Sequence, residues 1–226
     1  MANIIVTGAG GALGRAVVEE LARNEHRVAA VDLAALPPVP QVVGAFSGVD
    51  LTNEAAVEET YSAAAAALGS VNWLVNVAGG FEWEPIDGGS LDTWGRMQRI
   101  NLRTAVISCR AVLRHMTAGR GAIVNVGAAG AVNPGLGMAP YAASKAGVMA
   151  LTESLAEELK SRGIRVNAVL PTVMDTPTNR RDMPDADTSD WVHPSDAAKA
   201  IAFLLSDDAA AITGVGIKLS LGRPRA

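Results

Sequence analysis

Residues 3–32, NIIVTGAGGALGRAVVEELARNEHRVAAVD, decide the fold. A run of β-branched and apolar residues, Asn3–Thr7, leads into a turn crowded by Gly8, Gly10, Gly11 and Gly14. A helical apolar pattern follows, then a second β-type run, Arg27–Val31, and a carboxylate, Asp32. Glycine permits a tight turn and lets backbone approach a ligand closely, while a helix N-terminus offers unpaired N–H groups and a positive dipole end. A glycine string alone says little. Between a strand and a helix, with a second strand after it, the string reads as a pyrophosphate cradle in a β–α–β unit.

Asp32 ends the second strand, 18 residues after Gly14. A carboxylate there accepts hydrogen bonds from an adenosine ribose and repels a 2′-phosphate. The next residue is Leu33, so no base offsets that repulsion; Arg15 reads as a surface helix residue. The expected cofactor is NADH/NAD, with NADPH disfavoured.

Outward from this unit the alternation continues. Strand-like runs fall at Trp73–Val77, Ala122–Val126, Arg165–Leu170 and Gly216–Leu219. Helical patterns lie at about 13–31, 53–68, 91–118, 141–161 and 195–205, the first overlapping the second strand-like run. Continuous apolar strands separated by helices predict a parallel sheet covered on both faces, a doubly wound, Rossmann-type α/β fold. No linker or repeat divides residues 1–226, so one domain is expected. PPVP at 37–40 reads as a surface loop, and Pro171 to Pro194 as a substrate loop beyond a strand's carboxyl end.

Composition narrows the function classes. Of 226 residues, 49% are hydrophobic and 19% charged, enough for a packed core. The net charge of −4 comes without a basic block, against a nucleic-acid or lipid partner. Cys109 is the only cysteine and reads as a buried small hydrophobe; with no internal disulfide possible, a reducing compartment is expected. The N-terminus carries no signal-like segment and no apolar run reaches bilayer length, so a cytoplasmic location and a small-molecule substrate are expected. His26, His115 and His193 match no metal spacing, and no metal is expected.

Tyr141 and Lys145 open a helix one turn apart, on one face. A cation beside a phenol favours the phenolate and suits the pair to proton exchange. Yet no Ser or Thr occurs from Gly121 to Pro140, and Ala128 stands thirteen positions before Tyr141.

TGAGGALG, NVAGG (Asn76–Gly80), Asn101 at the start of a helix, and YAASK occur in an order that resembles the short-chain dehydrogenase/reductase family from end to end. The resemblance implies that Tyr141 donates the proton, that Lys145 holds the nicotinamide ribose and lowers the tyrosine pKa, and that Asn101 supports a water relay to Lys145. It implies cofactor contacts from Gly8, Gly10, Gly11, Leu13 and Gly14, from Asp50 and Leu51 at the adenine, and from Asn76, Ala78 and Gly79. Pro171, Val173 and Thr176 match the loop that receives the carboxamide. Members usually pair as homodimers or homotetramers through helices equivalent to 91–118 and 141–161.

The chain departs from the family at Ala12, where a fingerprint glycine is usual, and at Ala128, where the catalytic serine stands. Dihydropteridine reductases within the family also lack that serine. The loop PTVMDTPTNRRDMPDADTSDW (Pro171–Trp191) and the aromatic Phe81 after VAGG are similar to theirs. A quinonoid dihydropterin spreads the incoming charge over a conjugated ring, leaving a serine little to stabilise. Phe81 and Ala128 are therefore expected at the substrate, with Trp83 a weaker stacking candidate. Two other readings stay open: a general carbonyl reductase or alcohol dehydrogenase with water or Asn133 in the serine's place, and a non-catalytic dinucleotide sensor.

Overall fold

The computed structural model describes residues 1–36 and 42–222. Its strands are β1 (Asn3–Thr7), β2 (Arg27–Val31), β3 (Val42–Phe46), β4 (Trp73–Asn76), β5 (Gly121–Val126), β6 (Ile164–Pro171) and β7 (Gly216–Leu219). They pair in parallel in the order β3-β2-β1-β4-β5-β6-β7. Parallel neighbours require crossovers, and helices lie between β1 and β2 and in every connection after β3: α1 (Ala12–Arg23), α2 (Glu54–Leu68), α3 (Leu91–Met97), α4 (Thr104–Val112), α5 (Ala139–Leu159), α6 (Pro177–Asp182) and α7 (Pro194–Leu205).

Two cores result. On one sheet face Val17, Val18 and Leu21 of α1 meet Ile201, Leu204 and Leu205 of α7; on the other, Val57 and Tyr61 of α2 lie with Val112 of α4 and Leu159 of α5. Burial on both sides explains why Ile4–Val6 and Ile123–Val124 are wholly apolar rather than alternating. The fold is the expected doubly wound α/β. The direction in which strands are added to the sheet reverses between β1 and β4, the switch point at whose carboxyl ends Gly8 touches Ala78.

The structure corrects several boundaries. β3 adds a seventh strand: it is a half-exposed edge with a register shift beside β2, so its apolar signal is weak. The first helix ends at Arg23 rather than near residue 31, because Glu25 takes a left-handed conformation (φ 60°) and turns the chain into β2. Residues 91–118 are not one α-helix: α3 and α4 flank a π-helical segment, Gln98–Arg103, and α4 stops at Val112. Asn101 thus lies inside a continuous helical stretch, not at a helix start. The loop after β6 holds α6 and is closed at its base by a bridge between Met174 and Val192. The proposed surface loop at 37–40 lies outside the described residues. No helix among those described is long and apolar enough to cross a membrane.

Candidate active site

The glycine turn is held by its own backbone. Gly8 has φ 62°, and a Cβ there would lie 2.7 Å from the Ala78 nitrogen. A Cβ on Gly14 would lie 1.9 Å from the Gly8 carbonyl oxygen, so α1 can start this close to β1 only with glycine. Gly11 caps α1 without a side-chain hydrogen bond and the first turn holds no acid, leaving amide N–H groups for an anion. Leu13 turns its side chain into the core. Asp32 follows β2; its Oδ2 accepts from the Gly10 amide (2.8 Å) and its Oδ1 from the Ala34 amide (2.8 Å). Asp50 accepts from the Thr52 amide and hydroxyl, which hold its pKa down, and Leu51 is buried against the second core.

Asn76 ends β4, but its amide points into the interior. Its Nδ2 donates to Asn125 Oδ1 (2.9 Å) and Cys109 Sγ (3.3 Å). Burial pushes the Cys109 thiol up to about 12, so it stays protonated and inert. Ala78 follows on the carboxyl edge. Gly79 sits between two functional groups: a Cβ there would lie 2.5 Å from Asn101 Oδ1 and 3.3 Å from Lys145 Nζ.

Around the tyrosine the hydrogen bonds form a buried frame. Asn101 Oδ1 accepts from the Gly80 amide (2.9 Å), and its Nδ2 donates to the Gly80 carbonyl (3.0 Å) and to Ser144 Oγ (3.0 Å). Ser144 donates in turn to the Tyr141 carbonyl (2.7 Å). Thr104 back-bonds to the Ile100 carbonyl (2.8 Å), satisfying an oxygen that the π turn leaves out of register. Lys145 is 5% exposed and donates to the Val126 carbonyl (2.7 Å). Desolvation lowers its pKa to about 8 and raises that of Tyr141 to about 12. The expected lowering of the tyrosine pKa by Lys145 does not appear. Here burial dominates, and Lys145 is turned to a carbonyl rather than to the phenol.

On the substrate side Ala128 is buried and extended, two residues beyond Val126. Phe81 meets Tyr141 edge-to-face, centroids 4.9 Å apart. In the loop after β6, Pro171 is the last strand residue, Val173 is partly exposed, and the Thr176 hydroxyl caps α6 by accepting from the Asn179 amide (3.2 Å). Asp175 pairs with Arg180 and Trp191 is buried, both holding the loop's shape.

The sequence matches the short chain dehydrogenase family over residues 2–187. The chain belongs to that family. It is 34% identical to D-threitol dehydrogenase of Mycolicibacterium smegmatis over 96% of this chain and 91% of that protein. It is 33% identical to the 4-formylbenzenesulfonate dehydrogenase of Comamonas testosteroni, over 97% and 96%. In structure it resembles the 3-ketoacyl-(acyl-carrier-protein) reductase of Brucella melitensis complexed with NADH, with TM-score 0.83, 28% identity and coverage of 96% and 95%.

As a short-chain dehydrogenase the chain is an NAD(P)-dependent oxidoreductase, and its own residues fit such a cofactor. The Gly8–Gly14 cradle admits no added carbon at its closest points, its helix N–H groups are unopposed by acids, and Asp32 closes the second strand. Sequence reading missed two residues of this frame. Ser144 joins Asn101 to the Tyr141 backbone; its only signal was its place between Tyr141 and Lys145. Thr7 accepts through Oγ1 from the Val77 amide (3.2 Å), fixing the strand-to-loop exit. Nothing in a lone threonine announces a bond to a strand far away in sequence.

Proposed function

We propose that the chain is an NADH-dependent reductase of conjugated acceptors, with a quinonoid dihydropterin or a related C=N or quinonoid compound as the leading substrate class. The observation that carries this reading is Ala128. Ala128 is buried two residues beyond the carbonyl that anchors Lys145, and it offers only a methyl group where the family's catalytic serine stands. Conjugated acceptors spread the arriving charge and need no such donor. The similarity of residues 171–191 and Phe81 to dihydropteridine reductases agrees with it.

A dinucleotide held at its pyrophosphate by the glycine cradle would supply a hydride from its nicotinamide. Tyr141, a neutral phenol at physiological pH because burial raises its pKa, gives the proton. Lys145 holds the nicotinamide ribose and stabilises the phenolate as it forms, and Asn101 links the pair to solvent. Asp32 selects NADH by repelling a 2′-phosphate. A cytoplasmic homodimer or homotetramer completes the reading. A second reading, a general carbonyl reductase or alcohol dehydrogenase, is favoured by relatives whose names specify a polyol and an aldehyde.

One assay separates them. NADH oxidation is followed with a quinonoid dihydropterin, quinones, imines, aldehydes and simple ketones. Conjugated acceptors should outrun ketones, and Ala128→Ser should raise ketone reduction by up to about 10²-fold while hardly changing pterin turnover. Fast ketone reduction by the unaltered protein with no pterin activity selects the second reading. Tight NADH binding with no turnover at all points to a dinucleotide sensor.

A further inference from the structure

Trp83 is a large aromatic left 54% exposed, on the loop that carries Phe81 to the Tyr141 ring. It is nonetheless fixed. Its Nε1 donates to the Leu136 carbonyl (2.7 Å), and the neighbouring Glu84 amide donates to the Gly137 carbonyl (2.8 Å). The indole rests directly on Gly137: that residue has φ 70°, and a Cβ on it would lie 2.3 Å from the ring. Behind the indole, Glu82 is clamped by Arg96 through two hydrogen bonds (2.8 and 2.5 Å), and Glu84 accepts from the Ser90 amide (2.9 Å). The loop after β4 is thus tied to the segment that leads from Ala128 into α5.

With its one polar atom satisfied, everything Trp83 still exposes is apolar ring. Phe81 (57% exposed), Leu136 and Val132 are exposed apolar side chains on the same two segments. Exposed apolar side chains on the loop that brings Phe81 against the Tyr141 ring mark a ligand contact. A ring already immobilised loses little conformational freedom on binding. We propose that Trp83, seated on Gly137, is a preformed stacking wall of the substrate site, selecting flat multi-ring acceptors over small ones. The proposal rests on the reading of the Tyr141 crevice as a reductase site and adds the shape of its substrate.

The test uses two acceptors with the same reacting group, an α-dicarbonyl: tricyclic 9,10-phenanthrenequinone and small 2,3-butanedione. Stacking beyond simple burial is worth ~0.5–1.5 kcal/mol, about 2- to 12-fold in an equilibrium constant. Trp83→Ala should raise KM for phenanthrenequinone by about 2- to 12-fold, with kcat nearly unchanged and NADH binding and butanedione turnover unaffected. Trp83→Phe should recover most of the loss, and Gly137→Ala should reproduce it by unseating the indole. The dissociation constant of phenanthrenequinone from the NAD-bound protein, measured by equilibrium dialysis, should rise in the same order. Equal loss for both acceptors would make Trp83 merely structural, and unchanged phenanthrenequinone affinity in Trp83→Ala would overturn the proposal. Absent turnover in the unaltered protein would instead count against the reductase reading, while dialysis still decides the stacking.

Discussion

The turn after β1 and the loop after β4 leave the same edge of the sheet, yet they are built by opposite means. In the turn, backbone meets backbone: Gly11 N–H donates to the Gly8 carbonyl (3.1 Å), Ala9 N–H to the Val31 carbonyl (3.3 Å), and Gly14 admits nothing larger than hydrogen. The loop is held by side chains, through the Glu82–Arg96 pair and the Trp83–Leu136 bond, and turns aromatic faces outward. A site made of backbone suits a ligand group that never varies, such as a pyrophosphate. One made of side chains is free to change with the substrate. Substitutions at the two places should therefore separate binding of cofactor from turnover of acceptor.

The largest separation is expected at Tyr141, the proposed proton donor, which lies outside the glycine turn. Tyr141→Phe should lower kcat for carbonyl acceptors by about 10²–10⁴, the usual share of a general acid, while NADH titrates almost normally. A parallel loss of NADH affinity would blur the contrast. An intermediate effect is expected at Asp32, whose carboxylate holds the turn and is the proposed ribose acceptor. Asp32→Ala removes the acceptor for the Gly10 and Ala34 amides, and NADH binding should weaken by roughly ten- to a hundredfold. Asp32→Asn keeps an acceptor and should lose less, and both variants should narrow the gap to NADPH. Identical losses in fluorescence titrations of the two variants would limit Asp32 to ribose recognition.

The smallest effect is a pH limb. Desolvation lowers the Lys145 pKa to about 8, so its ammonium loses a proton as pH rises through that value, well below an exposed lysine. Tyr141, raised to about 12, stays a phenol throughout. The kcat/KM for reduction, which reports the free enzyme, should fall about fourfold between pH 7 and 8.5. In Lys145→Arg the guanidinium remains charged, and whatever activity survives should lose that limb. A flat profile in the unaltered protein would detach Lys145 from the rate.

The relation between sequence and site differs across the same two regions. The glycines of the turn were legible because close approach leaves glycine no substitute; Asp32 was legible as a carboxylate after β2, but not as the acceptor that holds the Gly10 and Ala34 amides. Tyr141 and Lys145 were legible as a helical pair. The resemblance places Asn76 along the cofactor; its side chain bonds inward to Asn125 and Cys109, partners on other elements that its place in the sequence does not announce. The π turn around Asn101 escaped because QRINLR fits an ordinary helix, and its widening is stabilised by contacts to Gly80 and Ser144 from elsewhere in the chain.

By itself the sequence determined the parallel, doubly wound sheet, the glycine turn at its switch point and the pairing of Tyr141 with Lys145 on one helix. Those follow from local rules: apolar runs that must be buried on both faces, a turn only glycine can make, side chains four apart on one helix. Tertiary structure alone decided the protonation of the pair, since burial rather than charge dominates both pKa values. It also decided where Trp83 rests, because the glycine beneath it lies in another segment and only folding brings the two together.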